Sequence, residues 1–139
     1  MSNQDAQMDC INDGLTGLAT IEEDGEFELL RSFVGVLAQD NERLWLGYYY
    51  DTSGSPRLRG TGAESQSSVL EGQNFGAGES PADGVCITIG RDGRLYRMNC
   101  TEALPYACYR DLGNNIATTL CACYMYVCWK SVCWDIHLI

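Results

Sequence analysis

Five carboxylates crowd one short stretch of this chain: Glu22, Glu23, Asp24, Glu26 and Glu28. Paired acids can divide general acid and general base work when their surroundings push their pKa values apart. Here they sit directly before an apolar helical stripe, and negative side chains are favoured at the positive end of a helix dipole. A helix start therefore accounts for them without catalysis. The single histidine, His137, has no neighbour at a spacing that would orient it as a base, and no serine occupies a strand-to-helix elbow. Gly60-Thr61-Gly62 has neither a strand before it nor a helix after it, which excludes a phosphate loop. The residues thus read as those of a non-enzymatic protein.

Two other groups suit binding. In GRDGRLYRMNC, Arg94, Tyr96 and Arg97 place cations beside an aromatic ring, and upstream GESPADG offers the oxygens of Glu79 and Asp83. An arginine fork matches planar anions, and tyrosine supplies contact area. The same arginines could also simply keep the hairpin hydrated and pair with the acidic front half. Cys121, Cys123, Cys128 and Cys133 could supply four thiolates to a tetrahedral metal, but C-x-C-x4-C-x4-C is not a common zinc spacing. A reduced, cysteine-rich metal or redox protein is kept as an alternative of a different class.

The elements that must position these groups fit one domain of 139 residues. Eight cysteines are many for a core of this size and point to disulfide staples in an oxidising compartment. MSNQDAQMDC lacks the basic and apolar runs of a signal peptide, so export is expected to be encoded in a longer precursor. A net charge of −10 excludes a general nucleic-acid binder. Residues 116–139 are interrupted by Lys130, Asp135 and His137, so no membrane insertion is expected. Charge is uneven, since Met1 to Tyr50 holds ten acids against Arg31 and Arg43, whereas Cys86 to Arg110 holds four arginines against Asp92 and Glu102.

DAQMDCINDG predicts a short helix closing at Gly14, with Ala6 and Cys10 one turn apart and facing inward. A second helix follows in EEDGEFELLRSFVGVLAQDN, where Phe27, Leu30, Val34 and Leu37 make one apolar stripe and Asp40-Asn41 marks the end. RLWLGYYYD is apolar and aromatic enough for a central strand. Asp51 to Gly84 shows no sustained period and reads as a long loop, either disordered or functional. VCITIG and LYRMNC flank the turn residues Asp92-Gly93 and predict an antiparallel hairpin, with Cys86 and Cys100 at its open ends within disulfide reach. PYACYR predicts one more strand. Residues 111–139 show no defensible helical or strand pattern and look like a tail of different material.

In this order the motifs resemble the C-type lectin-like domain. AQMDCINDGLTGLATI is similar to its first helix and the turn after it, and ELLRSFV to its second helix. RLWLGYYYD resembles its Trp-Ile-Gly strand at Trp45, Leu46 and Gly47, and DGRLYRMNCTEALPYACYR its closing hairpin and strand. The resemblance implies an α+β double-loop fold over residues 1–110, two helices flanking a small antiparallel sheet, with a long irregular loop that carries ligand binding. It also implies bridges Cys10 to Cys108 and Cys86 to Cys100. It implies a glycan or extracellular protein as partner, and an extracellular or cell-surface location. The family's opening strand is missing before Cys10, which leaves an amino-terminally incomplete domain and an unpaired edge beside PYACYR.

Calcium-dependent members hold their ion with an Asn-Asp pair in the strand and a Glu-Pro-Asn type loop. Laid on this chain, the strand pair falls on Tyr96 and Arg97, and in GESPADG Ser80 separates Glu79 from Pro81. Calcium needs several oxygens at once, so no cofactor is expected at the usual position. Calcium-dependent sugar binding through a shifted site at Glu79 and Asp83 is the second reading. Tyr96 and Arg94 share one strand face and Leu95 and Arg97 the other, so the arginines cannot all meet one ligand. The candidate ligand-binding set is Glu79, Asp83, Arg94, Tyr96 and Arg97.

Overall fold

The computed structural model describes residues 1–22, 25–37, 43–111, 118–124 and 127–136, with side chains as far as Tyr109 except those of Phe33, Val36 and Leu37. Helix α1 spans Asn3–Asn12. Ser2 caps it by accepting from the Asp5 backbone N–H at 3.2 Å, and Gly14 beyond the last turn takes φ 84°, a conformation that suits glycine. Asn3, Ala6, Gln7 and Cys10 are its buried face, spaced by three and four residues as a helix stripe requires. Helix α2 spans Glu26–Leu37 and buries Phe27, Leu30 and Val34. The fourth expected stripe residue, Leu37, and the expected end at Asp40-Asn41 lie outside the described side chains and residues.

Between the helices lies a sheet. Its strands are β1 (Gly17–Leu18), β2 (Arg43–Tyr50), β3 (Pro56–Leu58), β4 (Val85–Gly90), β5 (Leu95–Asn99), β6 (Tyr106–Asp111), β7 (Thr118–Tyr124) and β8 (Val127–Ile136). The main order is β5-β4-β2-β6-β7-β8, with β1 on β6 and β3 on β2. The expected α+β fold is therefore present. Strand β2 is central because both of its faces are apolar. Leu44, Leu46, Tyr48 and Tyr50 point into one core cluster with α2, whereas Trp45 points into the other with α1. Burying side chains of this size is worth about 1.5–3 kcal/mol each. Gly47 shares the Trp45 face, and a Cβ there would come within 3.0 Å of the Leu18 carbonyl. Glycine is what lets β1 approach.

Both expected bridges form. Cys10 is joined to Cys108 across 98 residues and Cys86 to Cys100 across 14. The first ties α1 to β6, and the second closes the β4–β5 hairpin. Loop-closure entropy makes the long bridge worth about 4.7 kcal/mol and the short one about 3 kcal/mol.

Two expectations are corrected. Glu26 and Glu28 lie in the first turn of α2 as expected, but Glu22 is not part of the helix start, because Gly25, at φ 90°, separates it from the helix. Glu22 instead accepts from Tyr48 Oη at 2.8 Å, Ser65 Oγ at 2.5 Å and the Gln66 backbone N–H at 2.9 Å, so it clamps the long loop to β2. Glu23 and Asp24 lie outside the described residues. The edge of β6 is not left open either, since β7 pairs antiparallel along it from Tyr106↔Cys123 to Asp111↔Thr118 and β8 continues the sheet. Register places Cys121 opposite Cys133 and Cys123 opposite Cys128. The side chains of these four cysteines, and His137, lie outside what the structure describes.

Candidate functional site

The hairpin turns over Arg91, Asp92 and Gly93, with Gly90 and Arg94 hydrogen-bonded across it at 2.8 Å and Gly93 at φ 80°. Asp92 sits where its carboxylate accepts from the Arg94 backbone N–H at 3.0 Å and from Tyr96 Oη. Partial burial opposes ionisation of Asp92, but these hydrogen bonds, that of Tyr96 foremost, outweigh it and hold the carboxyl below the usual range. The same bond pushes the Tyr96 phenol up.

Tyr96 is thereby pinned. A Cβ added at Gly76 would come within 2.4 Å of its ring, and one at Gly90 within 2.7 Å. The Arg43 guanidinium covers the ring at 3.8 Å from the centroid. Arg43 also donates to Met98 Sδ at 3.3 Å. The aromatic surface expected to meet a ligand is largely covered by the protein's own arginine.

Arg97 is turned inward. Its guanidinium lies 3.7 Å from the Phe75 ring centroid, and its Nε donates to Tyr50 Oη at 2.8 Å. The long loop returns along β5 at this point, where the Gly76 N–H donates to the Leu95 carbonyl at 2.8 Å and the Glu79 N–H to the Arg97 carbonyl at 3.1 Å. Gly78 makes room, since a Cβ there would stand 2.9 Å from the Arg97 carbonyl oxygen. A guanidinium has donors only. It can offer no oxygen to a calcium ion, and among the described residues no group of three acids, histidines or cysteines is placed to hold a metal.

Glu79, Asp83 and Arg94 are exposed. The five predicted residues do not converge: Arg97 and Tyr96 are engaged in holding the loop and turn, Arg94 stands at the turn, and Asp83 lines another cleft. That cleft, of about 220 Å³, is also walled by Ser2, Tyr49, Arg59 and Thr101. Arg59 further borders a cavity of about 330 Å³ between α1, β1 and the start of the long loop. The sequence reading missed Arg43, Asp92, Phe75 and Arg59 as shaping residues. The glycines spaced by two in FGAGES were a usable signal, because they mark a backbone lying closely on another strand.

The family model of the lectin C-type domain matches residues 1–110. The chain belongs to that family. This lectin C-type domain also superposes on the solved structure of an SPL-1–GlcNAc complex with a TM-score of 0.59. That likeness is at 17% identity and covers 77% of this chain and 78% of the other, so it speaks to the fold. No curated protein matches the sequence. Among the described residues, no helix of the domain is long and apolar enough to cross a membrane.

Proposed function

We propose that this lectin C-type domain is a non-enzymatic, extracellular recognition module that binds carbohydrate without calcium at the family's usual position. The observation that carries this is the placement of Arg97. Its guanidinium stacks on Phe75 and bonds Tyr50 where calcium-dependent relatives carry an oxygen ligand, and it ties down the loop return. A cation built into the chain thus does part of what a bound cation would do for loop order. Membership of the family over residues 1–110, together with the GlcNAc complex of a structural neighbour, supports a glycan as the ligand class.

Arg94 and Glu79 remain the contact candidates on the hairpin side. Both are exposed, with the loop beside them held in place. The test is a glycan array probed with the oxidised protein, with and without a calcium chelator. Binding that survives chelation is expected. Binding that is strong and lost on chelation overturns the calcium-independent part and favours a shifted ion site at Glu79 and Asp83.

A further inference from the structure

We infer that the cleft between Tyr49, Arg59 and the first turn of α1 is a second binding site, and that it takes a small ligand bearing a carboxylate.

Arg59 is the reason. Of its neighbours in the chain's arginine set, Arg31 pairs with Glu28 at 3.0 Å and Arg57 with Asp51 at 2.7 Å. Among the described residues Arg59 has no carboxylate within ion-pair distance. Yet it is half-buried, in a protein of net charge −10. Its backbone N–H donates to the Gly47 carbonyl at 2.8 Å, which fixes the start of the side chain against β2. Its Nε donates to Asn3 Oδ1 at 2.8 Å, and Asn3 is itself fully buried and anchored on the Leu46 carbonyl at 2.9 Å. Its Nη2 reaches Cys86 Sγ at 3.1 Å, and the guanidinium stacks at 4.5 Å on the Tyr49 ring.

This is a preorganised donor. One edge of the fork is fixed by the protein, and a sulfur in a disulfide is a weak acceptor. A planar anion would gain a bond that the fold does not supply. Burial pushes the Arg59 pKa down, with the neighbouring Tyr49 opposing. The desolvated cation is thereby better served by a counter-anion than by water. Ser2 and Thr101 also line the cleft, their hydroxyls already bonded to the Asp5 N–H and to Asn99 Oδ1, and the 220 Å³ volume lies below that of ordinary drug-sized pockets, which suits one ring-sized group. Among the described residues Asp83 is the one acid that lines the wall, and it is exposed at it.

In a carbohydrate-binding domain the matching ligand is a uronate residue of an acidic glycan. That saccharide form rests on the reading above, whereas the carboxylate assignment stands on the cleft alone. The test is an NMR titration of the full oxidised chain with sodium glucuronate, glucose and sodium acetate. Glucuronate is expected to bind at least about tenfold tighter than glucose, with shifts at Tyr49, Arg59 and Thr101. Arg59→Gln should lose about tenfold or more in glucuronate affinity, and Arg59→Lys less. Because Arg59→Gln also removes the bond to Asn3, Asp83→Asn provides an independent arm: removing the wall's own carboxylate should tighten glucuronate a few-fold. Equal affinity for glucose and glucuronate, or no effect of Asp83→Asn, overturns the inference while leaving a glycan reading intact. Acetate binding that depends on Arg59, with no sugar bound here or on the array, upholds the site and sinks the carbohydrate reading.

Discussion

The guanidinium of Arg97 lies face-on to Phe75, 3.7 Å from its ring centroid, and so links the fifth strand to the return of the long loop. With the 2.8 Å bond to Tyr50 Oη, one side chain ties three segments that are far apart in sequence. Arg97→Ala should lower stability by about 2 kcal/mol, from a lost cation–π contact and a lost hydrogen bond. Amides of residues 75–79 should exchange faster in the variant, as measured by hydrogen exchange. Unchanged protection there would show that the loop is held by its glycine contacts instead.

Gly76 and Gly72 make a paired test of that packing. A methyl at Gly76 meets the Tyr96 ring at 2.4 Å, whereas one at Gly72 meets nothing within 4 Å. Gly76→Ala should cost about 1–3 kcal/mol by overpacking, and Gly72→Ala should stay within about 0.5 kcal/mol of the parent. Denaturant melts of the two variants give both numbers.

Asp51 makes the start of the loop sensitive to acid. Its carboxylate accepts from Ser53 Oγ at 2.6 Å, from Arg57 Nε at 2.7 Å and from the backbone N–H groups of Ser53 and Ser55 at 2.9 and 3.0 Å. The Ser53 hydroxyl, then Arg57, then the Ser55 N–H hold the carboxyl well below its ordinary value of 3.8. A depressed folded-state pKa stabilises the folded form above the unfolded value and loses that contribution as pH falls through the folded one. The Ser53 and Ser55 amide resonances should therefore hold their positions down past pH 3.8 and shift only below it. Asp51→Asn should abolish that titration. A midpoint at the ordinary carboxylate value would mean that the turn is not tied to Asp51.

The bridges should differ in consequence. Native alkylation followed by intact mass is expected to leave Cys10, Cys108, Cys86 and Cys100 unmodified. Replacing Cys10 and Cys108 together by alanine should destabilise by about 4–5 kcal/mol, against about 3 kcal/mol for Cys86 with Cys100. Equal losses, or modification of these four in the folded chain, would count against this framework.

Much of the architecture was legible because it is written locally. The α1 face repeats at Ala6 and Cys10, the α2 stripe at Phe27, Leu30 and Val34, and the hairpin at Ile87, Ile89 and Asp92-Gly93. What stayed hidden is non-local. Glu22 looks like a helix-start acid until Ser65 and Gln66 arrive from the far side of the loop. Arg59 sits in a stretch with no period, and its meaning comes from Asn3, Tyr49 and Cys86, none of them nearby in sequence. The orientation of Arg97 followed from strand alternation, but its engagement with Phe75 did not, since no spacing rule joins a loop aromatic to a strand cation. The β7–β8 pairing was missed because neither segment alternates polar and apolar residues, which is how a half-buried strand announces itself.

The pairing of β7 on β6 gives this fold an order of assembly. The strand that covers β6 is made after it, so a growing chain presents Tyr106–Asp111 as an open template for a time before residues 118–124 exist to occupy it. At translation speeds of about 5–20 residues per second, that interval is on the order of a second or more. Cys108 lies in the same strand, and its partner Cys10 is made long before it. The bridge and the β7 pairing coexist in the fold, so the long bridge can close first and leave the strand edge for β7 to cover afterwards.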